Sequence, residues 1–224
     1  MRNMALPMVH LGAAEAAKEY FKISDPPPYY LGAIGPDGVH RLEGYTSDIK
    51  NQSHLGTRGN RNTEPVKKFL QRLPEFASPD YALGYAVHIL TDIAWKDSIL
   101  AEFRQRYQAD PSPAQDQNKA YYNDADQIDL ELYRVWEKRE KIWQALGVAK
   151  PCQLPGILPG RAAELWNERT LKWYDEPRRF EIPISYMSLS EVTAFMVHAG
   201  KLSACFIKDA LAECDFASLL KEDI

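Results

Sequence analysis

The amino-acid sequence predicts a single all-α domain of about six or seven helices that spans residues 1–224. Three observations predict this fold class. Apolar residues recur with helical spacing in several segments that end at prolines or begin at capping residues. Strand signals are scarce, because the one alternating segment, residues 180–184, contains a proline. A chain of 224 residues is also long enough to enclose one continuous hydrophobic core.

The first half of the chain predicts two short helical pieces, an irregular stretch and two further helices. Helical periodicity covers residues 7–21 and ends before a Ser-Asp-Pro-Pro-Pro sequence, which cannot continue a helix. Residues 29–34 read as one or two helical turns, and residues 40–62 form the longest irregular stretch. Helices resume after Thr63 and Ser78, both good N-cap residues, and the second opens the most apolar helix, residues 80–106.

The second half predicts three helices and a proline-rich linker. Residues 115–146 are strongly charged, with aromatic residues spaced for one buried stripe. A linker that contains Pro151, Pro155 and Pro159 follows. Helical periodicity then covers residues 161–174 and 189–212.

Composition restricts the function classes. The net charge of −4 and the isoelectric point near 5.8 give no reason to expect nucleic-acid binding, and no feature indicates an oligomeric state. Cys152, Cys205 and Cys214 form no CxxC pair, which argues against a disulfide framework. The sequence has no signal-peptide pattern and no apolar run near the ~18 residues of a transmembrane segment. We therefore predict a cytoplasmic protein without a transmembrane segment.

The strongest local motif is the segment GYAVHILTD at residues 84–92. Its His88 and Asp92 are four residues apart, so on a helix they project from the same face one turn apart. Apolar neighbours predict that this helix is buried nearly all round. A buried carboxylate is costly unless it is paired or binds a metal. The alternative is that Asp92 only orients the His88 imidazole by a hydrogen bond in the core.

Three further residues could join this pair. His10 lies between apolar residues of the first helix, Asp37 lies in a Gly-Pro-Asp-Gly sequence, and His54 lies within the long polar stretch. Taken singly, Pro-Asp-Gly is a common turn sequence and a loop histidine is usually exposed. The order of these residues along the chain is what suggests a shared site.

That order, from His10 through Asp37 and His54 to the GYxxHxxxD segment, resembles the zinc-dependent phospholipase C family. This family shares a helical fold and a metal cluster with the fungal single-strand-specific nucleases. The resemblance covers about residues 5–96, a little under half of the chain. It implies a phospholipase C/nuclease-like helical fold for this protein.

The resemblance also implies a set of metal ligands. Asp37, His54, His88 and Asp92 would surround one zinc ion, and Asp92 would bridge to a second metal bound by His10. Imidazole and carboxylate ligands suit zinc, and a bridging carboxylate suits a paired site. We therefore expect one or two zinc ions, with another divalent metal as the alternative. Such a site lowers the pKa of a bound water toward 7 and yields a nucleophile for phosphorus.

The sequence departs from the family's pattern at two places. Secreted members use an N-terminal Trp backbone as a metal ligand, whereas nine residues precede His10 here. Members also hold a third metal with a later histidine pair whose second member is followed four residues on by Glu. Here His198 alone remains, with Leu202 four residues later. We therefore treat His198 as a candidate late ligand, with a core histidine as the alternative.

Acidic residues could replace the missing ligands. Asp126 and Asp129 lie three apart on the predicted helix of residues 115–146, close to Asp124, and we interpret the three as a solvent-facing acidic surface. Glu191 precedes His198 by seven residues, about two helical turns, and could approach the same site.

Phosphate recognition needs cations near the metal. Lys50, Arg58 and Arg61 lie in the same polar stretch as His54, and arginine suits bidentate phosphate contacts. We predict that these three residues bind substrate, with Arg41 as a weaker candidate. Asp37 and Arg58 are the candidate catalytic residues. We expect His40 to lie at the surface.

These observations favour a metal-dependent hydrolase, a phosphoric ester hydrolase that uses metal-activated water on a small phosphorylated substrate. One alternative is a nucleotide phosphohydrolase of the helical HD superfamily, although the chain contains no adjacent His-Asp pair. The other is a non-enzymatic helical protein whose metal is structural or whose histidines are core residues.

Overall fold

The computed structural model describes residues 5–57 and 62–212, which form one helical domain as the sequence predicts. No strand occurs within these residues. The α-helices are α1 Pro7–Ala17, α2 Pro26–Ile34, α3 Ser47–Ser53, α4 Glu64–Leu70, α5 Pro79–Asp97, α6 Ile99–Ala109, α7 Gln117–Val135, α8 Arg139–Val148, α9 Gly160–Trp173 and α10 Leu189–Ala212. Three 3-10 segments accompany them, at Lys18–Tyr20, Gly35–Arg41 and Leu73–Glu75.

The described residues contain more helices than the predicted six or seven because two long predicted helices are divided. Residues 80–106 break at Ser98, whose backbone lies at φ −123° and ψ −93°. The Ser98 hydroxyl donates to the carbonyl of Ala94 at 2.8 Å, a local bond that competes with the helical ladder. Residues 115–146 break at Trp136, whose ψ of 117° is extended, and no proline or glycine marks that position.

The predicted irregular stretch of residues 40–62 is partly helical. The 3-10 segment Gly35–Arg41 enters it, and α3 follows. Thr46 caps α3, because its side-chain oxygen accepts the backbone N–H of Ile49 at 3.2 Å. The chain then reverses at Leu55 and Gly56, both with positive φ, and the N–H of Gly56 donates to the carbonyl of Asn51. α3 therefore holds His54, its C-terminal capping residue, in a fixed position.

The long, largely buried helix α5 is the centre of the domain and packs against α1, α2, α4 and α10. Its closest neighbour is α2. A Cβ atom on Gly84 would lie 2.0 Å from the carbonyl oxygen of Tyr29, and one on Gly32 would lie 2.1 Å from that of Tyr81. Only glycine permits the two backbones to approach so closely at these crossings. This approach brings His88, one turn after Gly84, against the backbone of α2.

A second close approach joins the 3-10 segment Gly35–Arg41 to α9. A Cβ atom on Gly38 would lie 2.4 Å from the carbonyl oxygen of Ala162, so glycine is required there too. Asp37 is thereby fixed beside the N-terminal half of α9. On the other side of the domain, α1 packs against α10, where Gly200 adjoins the backbone of Ala13.

None of the helices in the described residues combines the length and the apolar character that a bilayer crossing requires.

Candidate metal centre

Five predicted ligands from four helical segments meet in the core. His10 comes from α1, Asp37 from the 3-10 segment Gly35–Arg41, His54 from the end of α3, and His88 and Asp92 from α5. None of the five is more than 5% exposed. The helices around α5 therefore bring together residues that are up to 82 positions apart in the sequence.

The donor atoms of this cluster are spaced like ligands of a common ion. Nε2 of His54 lies 3.5 Å from Oδ1 of Asp37 and 3.6 Å from Oδ2 of Asp92. Nε2 of His10 lies 3.6 Å from Oδ1 of Asp92. Two ligand atoms that are each ~2.1 Å from a tetrahedral zinc ion are about 3.4 Å apart. The observed separations therefore match a metal site more closely than a direct hydrogen bond.

Two sets of three donor residues are each close enough together to bind a single ion. His10, Asp37 and His88 can place one ligand atom each within 4.8 Å of one another, and so can His54, His88 and Asp92. The His10 and His88 rings are stacked, with centroids 3.7 Å apart. His88 belongs to both groups, so the two groups form one continuous cluster. This cluster can hold one ion, or two ions that share a carboxylate.

Backbone carbonyls orient two of the imidazoles. Nδ1 of His88 lies 2.8 Å from the carbonyl oxygen of Ala33, and Nδ1 of His54 lies 3.1 Å from that of Lys50. A carbonyl only accepts, so Nδ1 carries the proton in each ring and the Nε2 lone pair is free. This arrangement, in which the outer nitrogen donates to a carbonyl, is typical of metal-binding histidines.

Several buried atoms of the cluster have no hydrogen-bond partner within the described part of the chain. They are both ring nitrogens of His10, Nε2 of His54 and of His88, and Oδ1 of Asp92. Buried polar atoms are nearly always satisfied, because an unsatisfied one costs about 1–3 kcal/mol. The three Nε2 atoms and Oδ1 of Asp92 belong to one cluster of donors, and together they indicate a common partner. Nitrogen and carboxylate oxygen donors at these spacings fit zinc or a similar divalent ion.

Burial favours the neutral, ligating form of the His10 and His88 imidazoles. It lowers the pKa of His10, although the carboxylates of Asp92 and Asp37 oppose this shift. It lowers the pKa of His88 still further, and the adjacent His10 adds to the effect. Burial is the largest single influence on Asp37 and opposes its ionisation. The ammonium group of Lys50 and the neighbouring His54 and His88 together outweigh burial and hold the pKa of that carboxyl well below its usual range.

The structure places the predicted substrate-binding residue Lys50 inside the protein. Its side chain is fully buried, and Nζ donates to Oδ1 of Asp37 at 2.9 Å. Nζ also lies 2.7 Å from Nε2 of His40, and an ammonium can only donate, so His40 accepts. His40, expected at the surface, is instead half-buried beside the cluster. The sequence contained one indication of this position: His40 lies three residues after Asp37 on a helical segment, so the two side chains share a face.

Other candidate residues lie away from the cluster. His198 is exposed on α10, and with Leu90 and Ile93 it lines a separate cavity on the opposite face of α5. Glu191 pairs with Arg106. The candidate catalytic residue Arg58 and the candidate substrate-binding residue Arg61 lie outside the described residues.

The interpretation of Asp124, Asp126 and Asp129 as a solvent-facing acidic surface is wrong for two of the three. Asp124 and Asp129 are each 1% exposed. Both are hydrogen-bonded to backbone N–H groups of other segments, which offset the cost of burial. Asp126 is half-buried at the wall of a cavity.

This cavity, of about 350 Å³, reaches the candidate metal centre at Asp37. Asp37 and His40 form part of its wall, and Asp126, Trp166 and Arg169 form another part. Its volume suits a small organic molecule. The sequence offered no pattern that places α7 and α9 beside Asp37, because that proximity depends on the packing at Gly38.

Comparisons with protein families, curated proteins and solved structures found no significant match to this chain. The resemblance to the zinc-dependent phospholipase C family therefore stays a prediction, and the geometry of the site carries the functional argument.

Proposed function

We propose that this protein is a metal-dependent hydrolase of a small phosphoester, with one or two divalent ions, preferably zinc, in the His/Asp cluster. The unsatisfied donors carry the proposal. Three imidazole nitrogens and a carboxylate oxygen are buried, directed at one volume and without a hydrogen-bond partner among the described residues. A divalent cation is the simplest partner that satisfies all of them.

The chain's own residues would prepare the reaction. The carbonyls of Ala33 and Lys50 fix the His88 and His54 rings, and the Lys50 ammonium keeps Asp37 ionised. A divalent ion held by the His/Asp cluster would supply an acidified water and would withdraw charge from a phosphoryl oxygen. In hydrolysis the water oxygen bonds to phosphorus, the ester P–O bond breaks, and the departing alcohol takes up a proton.

The cavity beside Asp37 favours an enzyme over a structural site. A structural zinc site has four protein ligands and no opening to substrate. Here five donors would serve up to two ions, which leaves coordination positions open, and a small-molecule cavity reaches one of the ligands. The deep burial of all five donors is the observation that favours the structural alternative.

Metal content tests whether the His/Asp cluster binds a divalent ion. Purified, tag-free protein should contain one or two zinc or other divalent ions per chain by mass spectrometry. His88→Asn and Asp92→Asn should each lose metal, because each removes a donor with no substitute nearby. His198→Asn, which changes an exposed histidine away from the cluster, should retain it. A parent protein that binds no metal, even after zinc or manganese is added, would refute the proposal.

An activity screen tests whether the metal-loaded protein is a phosphoester hydrolase. The metal-loaded protein should hydrolyse at least one member of a panel of phosphomonoesters, phosphodiesters and nucleotides. A chelator should abolish this activity, and metal should restore it. Stoichiometric metal without hydrolysis of any of these compounds would favour the structural alternative.

A further inference from the structure

The cavity that adjoins Asp37 contains a cation held in an unusual way. Arg169 of α9 lines it, with its guanidinium 4.8 Å above the ring of Trp166 and 5.5 Å from that of Trp173. Stacking on an indole covers the faces of the guanidinium and leaves its N–H edges available for hydrogen bonds. Trp166 itself lines the same cavity, so the aromatic ring positions the cation at the cavity wall.

Arg169 forms no ion pair with a carboxylate of the described residues. Burial lowers the pKa of its guanidinium, yet an arginine remains charged at neutral pH. A second guanidinium, that of Arg178, lies 4.2 Å from Trp173, but it pairs with Glu176 at 2.9 Å. The carboxylates of Asp126 and Asp129 act on Arg169 from beyond ion-pair distance. Arg169 therefore keeps N–H groups that no carboxylate of the described residues contacts, and these can bind an anion.

Asp126 of α7 gives the same cavity an acceptor. Its carboxylate is half-buried and has no hydrogen bond or ion pair within the described residues. A ligand that fills the cavity must therefore offer an anionic group to Arg169 and a hydrogen-bond donor to Asp126. A hydroxyl group is such a donor, and it adds no second charge beside Arg169.

On the basis of the proposed function, we propose that the substrate is a phosphorylated hydroxy acid. Its phosphate would bind at the His/Asp cluster, its carboxylate at Arg169 and a hydroxyl at Asp126. Arg169 is then the residue that determines specificity, since it distinguishes a carboxylate from a neutral end. A charge-assisted contact of this kind gives a preference of about 10- to 100-fold.

Matched pairs of phosphomonoesters test this assignment. Glycerol 3-phosphate and 3-phosphoglycerate differ only in a terminal alcohol and a carboxylate, and so do glucitol 6-phosphate and 6-phosphogluconate. Two chain lengths are used so that the carboxylate is offered at two distances from the phosphate. For each compound, kcat/KM would be measured with metal-loaded protein. Kd would be measured by calorimetry under conditions in which the compound is not hydrolysed.

The expected result is a preference for the carboxylate of about 10- to 100-fold in at least one pair. Arg169→Gln should remove this preference, because it lowers kcat/KM for the acid far more than for the alcohol, and metal content should not change. Arg169→Lys should retain part of the preference, because it keeps the charge without the planar fork. Arg161→Gln is the matched control, since Arg161 lies exposed on the same helix and pairs with Glu164 instead.

Two results would overturn the assignment. One is equal kcat/KM and Kd within both pairs for the parent protein. The other is an Arg169→Gln variant that weakens both members of a pair equally. Either result leaves the proposed hydrolase intact if other phosphoesters are still cleaved. Conversely, an Arg169-dependent preference in Kd, in a metal-loaded protein that hydrolyses no phosphoester of the panel, would support the anion subsite and refute the hydrolase.

Discussion

Two buried polar regions of this protein differ in how their atoms are satisfied. The His/Asp cluster around α5, which is the candidate metal centre, and the pair of carboxylates on α7, Asp124 and Asp129, are buried to a similar degree. Asp124 accepts backbone N–H groups from Ser185, Tyr186 and Met187 at 3.2, 2.6 and 3.1 Å. Asp129 accepts the N–H of Met8 at 3.0 Å and the hydroxyl of Tyr174.

The comparison shows why burial alone does not identify a ligand-binding site. The carboxylates on α7 hold segments of the chain together, and protein donors satisfy both of them. At the metal centre the outer nitrogens of His54 and His88 are bonded to carbonyls, but the inner donors are left without a partner among the described residues. The first pattern is that of a structural contact, and the second is that of a site for a ligand.

Removal of metal should give the largest change in stability. This change should depend on the residues of the His/Asp cluster and not on the carboxylates of α7. Free metal at about a thousandfold excess over its Kd stabilises the folded state by about 4 kcal/mol, which for a chain of this size raises Tm by about 10 °C. A chelator should reverse this shift in the parent protein. Thermal unfolding with and without chelator measures it. The shift should be absent in His88→Asn and should persist in Asp129→Asn. A shift that persists in His88→Asn but is lost in Asp129→Asn would contradict the distinction between the two regions.

Truncation of Asp124 should give the next largest effect, on stability alone. Asp124→Ala leaves three backbone N–H groups without their acceptor and should lower the free energy of unfolding by about 3 kcal/mol. Metal content should not change. Asp116→Ala is the control, since Asp116 is an exposed N-cap whose loss costs about 1 kcal/mol. Denaturant unfolding measures both variants, and loss of metal from folded Asp124→Ala would contradict the distinction.

The pH dependence of stability should give the smallest effect. Burial raises the pKa of Asp129 to about 7, whereas an unfolded aspartate titrates near ~3.9. Between these values the folded state binds a proton that the unfolded state has released, so stability falls as pH rises from about 4 to about 7. The slope is on the order of 1 kcal/mol per pH unit. Asp129→Asn stays neutral and should lose this part of the slope.

Denaturant unfolding of chelated protein at pH 5 and pH 7 measures the slope in parent and variant. The lowered pKa values of His10 and His88 destabilise both proteins equally as pH falls below about 6.5, so their contribution cancels in the difference. Identical slopes in parent and variant would show that Asp129 is ionised in the folded protein across this range.

Local patterns in the sequence predicted the helices that carry their own start and stop signals. α1, α9 and α10 lie where periodicity places them, because apolar spacing and capping residues act within a few turns. The breaks at Ser98 and Trp136 were missed, since neither residue is a strong helix breaker. α3 was missed as well, although Thr46 is a good N-cap, because a helix of seven residues has too little periodicity to detect.

By itself, the sequence determined the all-helical class and which residue types could bind a metal. The spacing of His88 and Asp92 on one helical face is a local property, and it requires no knowledge of the rest of the chain. Tertiary structure alone decided that His10, Asp37 and His54 join this pair while His198 does not. It also buried Lys50 and placed Arg169 near Asp37. These positions depend on close backbone approaches at Gly32, Gly84 and Gly38 between segments far apart in the sequence, which no local pattern encodes.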